Sequence, residues 1–201
     1  MIPKKPAPPQ LIVFLGPDGA GKSTLLAGVE AALTNAAQNW RSYYFAPGFL
    51  KRYRPRLGNN VTENPHEGRQ YGLALVLAKA SLLLFEFIMG IPPARRQNSI
   101  LLFDRYISDI LVDPVRYRMG RTRWWMKLML RLAPRPDLLV IVVAPAATIQ
   151  ARKQEVSFAE TERQIEGYKA LAADFTNSLI IENTGAPESA VGAIVNRILV
   201  S

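Results

Sequence analysis

Short, continuously apolar runs alternate along this chain with longer stretches of helical periodicity. Leu11–Leu15 (LIVFL) ends at a glycine and leads into a helical pattern from Lys22 to about Ala37, and Arg41–Phe45 (RSYYF) reads as a second strand. A basic, Pro-containing loop follows, then an apolar helix near 67–90 and a buried strand at Ile100–Phe103 (ILLF). Arg121–Leu132 reads as a helix, Leu138–Val143 (LLVIVV) as a fourth strand, Phe158–Phe175 as a longer polar helix and Leu179–Ile181 as a fifth strand. Pro187 opens a last helix, where its fixed φ and missing N–H suit the first turn. Continuously apolar strands separated by helices predict an α/β protein, a five-stranded parallel sheet flanked by helices on both faces. With 201 residues, no internal repeat and no linker, residues 11–201 read as one domain. The Pro-rich segment 1–10 (MIPKKPAPPQ) reads as a disordered tail, because it lacks the apolar core that a secretory signal needs.

The longest apolar stretch, Tyr71 to Ile91, is long enough to cross a bilayer. Lys79 and Glu86 interrupt it, and each would cost about 2.5–3.5 kcal/mol near the centre of a membrane. Seven residues apart, they fall on one helical face while Leu73, Leu77, Leu84 and Ile88 point elsewhere. The expectation is a buried helix, or one that forms a homodimer through 67–90.

Composition narrows the chemistry. With no cysteine and His66 as the sole histidine, disulfides, thiol nucleophiles and His- or Cys-based metal centres are excluded. A net charge of +9 points to phosphate-bearing ligands, nucleic acid or an anionic membrane surface. That excess is local. Residues 41–56 hold five basic side chains and residues 114–136 hold seven, with no acidic one in either, whereas the rest of the chain sets 13 basic residues against 16 acidic ones. In the second segment Trp124 and Trp125 sit among Arg121, Arg123 and Lys127. That pattern fits either a helix with one tryptophan in the core or a basic-aromatic helix at a membrane interface. No nucleic-acid-binding module accompanies the charge, which makes nucleic acid the weakest of the three partners.

The most informative segment is Gly16-Pro17-Asp18-Gly19-Ala20-Gly21-Lys22-Ser23, which fits G-x-x-x-x-G-K-[ST] between a strand and a helix. Its glycines let backbone N–H groups converge on phosphate oxygens at a helix N-terminus. Lys22 supplies a point charge for the β- and γ-phosphates, and Ser23 a hydroxyl for Mg²⁺. A guanine-reading N-K-x-D sequence is absent, which argues against a GTPase. Asp104-Arg105-Tyr106 follows the ILLF strand directly, and strand C-terminal ends in such a sheet face the ligand crevice. Asp104 is therefore expected to point toward phosphates and metal, with Arg105 reaching an acceptor anion.

The FLGPDGAGKST loop, the DRY after the third strand, the ARKQE segment after the fourth and the closing LIIENTGAPESA together resemble the thymidylate kinase group of P-loop nucleoside monophosphate kinases. The resemblance covers nearly the whole chain after residue 10. It implies the three-layer P-loop NTPase fold, with ATP as donor, Mg²⁺ as cofactor and a basic lid near 151–160. It further implies catalytic roles for Lys22, Asp104, Arg105 and Arg152, with Lys153 beside them in the lid. Nucleotide would be bound by Gly16, Asp18, Gly19, Ala20, Gly21, Lys22, Ser23 and Thr24, the metal by Ser23 and Asp104, and adenine would lie near the turn Asn183–Gly185.

Two departures bear on the acceptor. Phe45-Ala46-Pro47-Gly48 stands where thymidylate kinases carry an Arg-Glu-Pro-Gly-Gly-Thr-like segment, and Ile107-Ser108-Asp109-Ile110-Leu111-Val112-Asp113-Pro114 replaces the stretch that holds their base-reading residues. The pattern resembles a bacterial branch of thymidylate kinase-like proteins, some of which occur in cell-envelope polysaccharide contexts. The acceptor classes are thus dTMP, another nucleoside monophosphate, or a lipid- or glycan-linked envelope precursor. A protein of this kind is expected in the cytoplasm or at the periphery of the inner membrane. A hydroxyl acceptor would need a carboxylate base, for which Asp104 comes first and Asp109 and Asp18 next; Asp109 and Asp113 equally fit caps of the turn before Pro114. His66 reads as either a helix-capping or a substrate-site residue. A reading from another class is a nucleotide-binding interaction protein that has lost transfer.

Overall fold

The strands β1 (Gln10–Leu15), β2 (Trp40–Tyr44), β3 (Ile100–Asp104), β4 (Leu138–Val143) and β5 (Ser178–Glu182) form one sheet in the order β2-β3-β1-β4-β5, and every neighbouring pair is parallel. These come from a computed structural model that describes residues 10–49, 72–118 and 123–200. The Pro-rich segment 1–9, His66, the basic residues between 50 and 56, and Arg121 lie outside the described residues. The helices are α1 (Lys22–Asn35), α2 (Leu73–Gln97), α3 (Asp109–Val112), α4 (Arg123–Leu132), α5 (Ala146–Arg152), α6 (Phe158–Ala173) and α7 (Pro187–Val200). The protein is α/β, a five-stranded parallel sheet flanked by helices.

The central strands β1 and β4 are buried along almost their whole length, as unbroken apolar sequence covered on both faces requires, while β2 and β5 are half-exposed edges. α1 packs with α7, and α2, α3, α4 and α6 form a second contiguous set. The tyrosine of DRY needs no ligand to explain it. Tyr106 is fully buried edge-on to Phe87 (4.5 Å) and Phe103 (5.8 Å), and its hydroxyl donates to Pro134 O at 2.6 Å.

Register brings the chemistry together. Phe14 pairs with Asp104, and Leu15 with Ile141, so the loop leaving β1 stands level with the end of β3. At Gly16 (φ +146°) an added Cβ would lie 2.0 Å from the Val142 carbonyl oxygen of β4, a backbone atom that cannot yield. Glycine is what lets the loop turn against the sheet there.

Two expectations are revised. The apolar helix runs to Gln97 rather than ending near 90, straight through Pro92 and Pro93. These prolines have no N–H to give the carbonyls of Ile88 and Met89, and both residues are more than 40% exposed, so solvent can hydrate those oxygens. α2 is also not buried all round. Val76, Ala80, Leu84, Phe87, Ile91 and Ala94 form the inner stripe, whereas Leu73 and Ile88 are exposed, and Lys79 is exposed while Glu86 on the same side is only 7% exposed. Among the described residues α2 is the one helix long and apolar enough to cross a membrane, yet that inner stripe belongs to the core beneath it. Between β4 and α6, where the sequence pattern assigned no element, α5 starts after Pro145 and carries Arg152 in its last turn. Ala146, Ala147 and Ala151 are strong helix formers.

Candidate functional site

Residues 16–23 wrap onto the N-terminus of α1, and the pocket they border is the large cleft of the described structure, about 670 Å³. No acidic residue occupies the first turn of α1 and no side chain caps it, so its N–H groups and positive dipole end are left for a ligand. Gly19 (φ +85°) and Gly21 (φ +92°) hold the left-handed conformations that carry the loop into the helix. Ala20 is fully buried, its N–H donates to Pro17 O (3.3 Å), and its carbonyl accepts from Asn183 Nδ2 (2.8 Å). The Asn183 turn thus lies against the loop. Ser23 and Thr24 are exposed at the cleft.

Lys22 folds back into the loop. Its Nζ donates to Gly16 O and Pro17 O, both at 2.8 Å, and sits 3.7 Å from Asp18 Oδ1. Burial, with Arg105 nearby, lowers the ammonium pKa to about 8 despite the opposing carboxylates of Asp18, Asp104 and Asp109.

Arg105 is engaged within the protein. It has φ +74° and is 4% exposed, and its guanidinium is held between carboxylates: Nη1 donates to Asp109 Oδ2 at 2.6 Å and Nη2 to Asp18 Oδ1. Both arms of the fork are occupied within the protein, so Arg105, at the border of the cleft, clamps the loop to the end of β3. Burial would lower its pKa, but Asp109 and Asp18 raise it. Arg116 donates to the other oxygen of Asp18. Burial would lift the Asp18 carboxyl, yet Arg105, Lys22 and Arg116 hold it well below the usual carboxylate range. So fixed an anion is a poor proton acceptor.

Asp109 is occupied as well. It is fully buried, and its two oxygens accept from Arg105, from Tyr117 OH (2.6 Å) and from Tyr168 OH (2.5 Å). Asp113, expected as a cap of the turn before Pro114, instead caps the turn that begins at Pro114, accepting the Arg116 N–H at 3.1 Å. Asp104 is the exception among these carboxylates. Its Oδ1 is buried without a hydrogen-bond partner, and burial raises its pKa even though Lys22 and Arg105 pull the other way. Among the described residues no group of three His, Asp or Glu side chains gathers to cage a metal. One hydroxyl (Ser23) and one unpartnered carboxylate (Asp104) at the same cleft do fit a hard cation that keeps its waters and takes its other ligands from phosphate.

Arg152 and Lys153 arrive over the loop from α5. Arg152 Nη1 donates to Gly19 O (3.3 Å), and Lys153 pairs with Glu155 at 2.6 Å. Sequence reasoning assigned no role to Arg116, Glu155 or Tyr44, all of which line the cleft. Arg116 lay inside a basic run whose members look alike in sequence, Glu155 had only the lid's general placement, and Tyr44 read simply as strand. In all, five cations and three carboxylates border the cleft. No protein-family model matches the chain, and no curated protein matches it.

Proposed function

We propose that the protein is an ATP-dependent phosphotransferase built on a P-loop kinase plan. The observation that carries this reading is the buried Lys22 ammonium inside the Gly16–Ser23 loop, at the N-terminus of α1 and beside an unpartnered Asp104 carboxylate at the next strand end. Glycine-rich loop, helix N-terminus and lysine form a cradle for a polyphosphate. On this reading Lys22 swings from the Gly16 and Pro17 carbonyls to the β- and γ-phosphates, and Arg152, now on the Gly19 carbonyl, closes over the transferred group. Ser23 and Asp104 would hold a Mg²⁺ ion, whose charge would neutralise that of the polyphosphate. Positioning and charge neutralisation account for most of the catalysis such a transfer needs.

Of the acceptor chemistries, a hydroxyl is the better supported. Arg105, which would grip an acceptor phosphate, is already engaged by Asp18 and Asp109. The test is a coupled assay with Mg·ATP over nucleoside monophosphates, sugars and lipid-linked glycans. Turnover on a hydroxyl acceptor is the expected result. Rapid phosphorylation of dTMP would overturn the acceptor assignment alone, and absence of any Mg·ATP binding would overturn the whole reading. Binding without turnover on any acceptor would favour an interaction protein.

The Lys22 pKa adds a pH prediction. Below pH 8 the ammonium is charged in the free protein; above pH 8 it is largely neutral, and a triphosphate beside Nζ must draw a proton back. ATP affinity is therefore expected to fall as pH rises through 8, with net proton uptake on binding. Calorimetry at alkaline pH in two buffers of different ionisation enthalpy measures that uptake, and identical heats would contradict it.

A further inference from the structure

The large exposed apolar side chains concentrate on two helices that pack against each other. Leu73, Leu82, Phe85 and Met89 of α2, with Trp124 and Leu132 of α4, are each between 41% and 66% exposed. On α4 the exposed residues Trp124, Lys127, Leu128 and Arg131 follow one helical stripe, while Met126 and Met129 fill the core on the other side. Arg96 and Arg135 are exposed near the C-terminal ends of the two helices. Neither helix exposes a carboxylate of its own: Glu86, the sole acid on α2, is 7% exposed, and α4 has none; Asp137, exposed just beyond Arg135, is paired with Arg95 of α2.

We propose that this α2–α4 face is a peripheral docking surface for an anionic lipid bilayer. Apolar and tryptophan side chains interleaved with lysine and arginine, with no exposed acid on either helix, complement a negatively charged headgroup layer over hydrocarbon. A second copy of the chain complements it poorly, because a two-fold contact through the α4 stripe would set Lys127 and Arg131 against their own images. A nucleic-acid backbone would leave the apolar residues without a partner. The helix lies on the surface rather than across it, since its inner stripe is core and the Ile88 and Met89 carbonyls facing the prolines need hydration.

Topology sets the orientation. α2 and α4 each lead into a strand of a parallel sheet, β3 and β4, so their N-termini lie at the strand C-terminal side, where Asp104 and the Gly16–Ser23 loop also are. Leu73 (61% exposed) and Trp124 (66%) stand in those first turns. The apolar end of the face meets the bilayer with the cleft beside it. The proposal does not depend on phosphoryl transfer and can fail or hold independently of it.

The experiment is co-sedimentation of the full chain with phosphatidylcholine vesicles, with and without about 30 mol % phosphatidylglycerol. Binding to the anionic vesicles is expected to exceed binding to neutral ones by about tenfold or more and to weaken with salt. Trp124→Ala with Leu128→Ser, and separately Lys127→Glu with Arg131→Glu, should each lower it by about tenfold or more while leaving the thermal midpoint near wild type. Quenching of wild-type tryptophan emission by brominated lipid reads insertion without any substitution. Equal binding to both vesicles, no binding, unchanged binding by folded variants, or a concentration-dependent dimer abolished by Trp124→Ala with Leu128→Ser would each overturn the proposal.

Discussion

Lys22→Met is expected to lower phosphoryl transfer by on the order of 10²–10³-fold and, at the same time, to raise the melting temperature of the ligand-free protein. The first effect follows, on the proposed function, from removing the cation that would meet the transferring phosphates. The second follows from where that cation sits. With the ammonium pKa lowered from 10.5 to about 8, the folded state disfavours the charged form by about 3 kcal/mol relative to the unfolded chain. Because the folded value is the lower one, this penalty is fully present below pH 8 and fades as pH rises toward 10.5. Methionine keeps the unbranched stem and removes the charge, at the loss of the hydrogen bonds to Gly16 O and Pro17 O. Near pH 7 the substitution should therefore stabilise, and near pH 10.5 the advantage should vanish. Thermal unfolding at both pH values, paired with the transfer assay, checks it. A variant less stable than wild type near neutrality would mean that the lysine's hydrogen bonds outweigh its burial.

A stabilised but inactive variant would also mark the loop as a place where local rules yield to function. Such places were unusually legible in the sequence. The loop's glycines stand at fixed spacing, and the structure assigns Gly19 and Gly21 left-handed φ and Gly16 a contact with β4 that only a hydrogen can make. The five strands were legible for a related reason: β1, β3 and β4 are apolar on both faces, and short runs of that kind have few alternatives in a chain of alternating patterns.

What stayed hidden is what depends on pairing across the chain. DRY predicts an arginine near the ligand but not its partners. The Asp18 and Asp109 carboxylates that engage Arg105 lie 87 and 4 residues away, and Arg116 reaches Asp18 across 98 residues. Nothing in the spacing of RYR separates Arg116, which enters the cleft, from Arg118 two residues on. The continuation of α2 through Pro92-Pro93 was hidden as well, because proline's penalty depends on whether the deprived carbonyls face water.

The same long-range pairing makes Asp109→Ala the substitution with the largest expected effect on stability, a loss of about 3–5 kcal/mol. Asp109 sits where four segments meet. Arg105 comes from the end of β3, Tyr117 from the turn after α3, Tyr168 from α6, and all three donate to a carboxylate with no exposed surface. Burial, together with that carboxylate, raises both tyrosines well above their usual pKa, so each remains a donor and needs an acceptor. Alanine would leave a guanidinium that is 4% exposed with Asp18 as its remaining carboxylate, and two buried hydroxyls would lose their acceptor. Asp109→Asn retains the shape and one acceptor oxygen but not the charge and should fall between wild type and alanine. Tyr168→Phe removes one donor with little change in volume and should cost about 1 kcal/mol. Urea unfolding of the series measures that ordering, and combining Tyr168→Phe with Asp109→Ala should destabilise by clearly less than the two single changes added together. Additive losses, or an alanine variant within about 1 kcal/mol of wild type, would show that the four groups do not act as one unit. In the ordered case Asp109 is the residue through which α6 and the turn after α3 fix Arg105, and through Arg105 the Asp18 carboxylate in the loop.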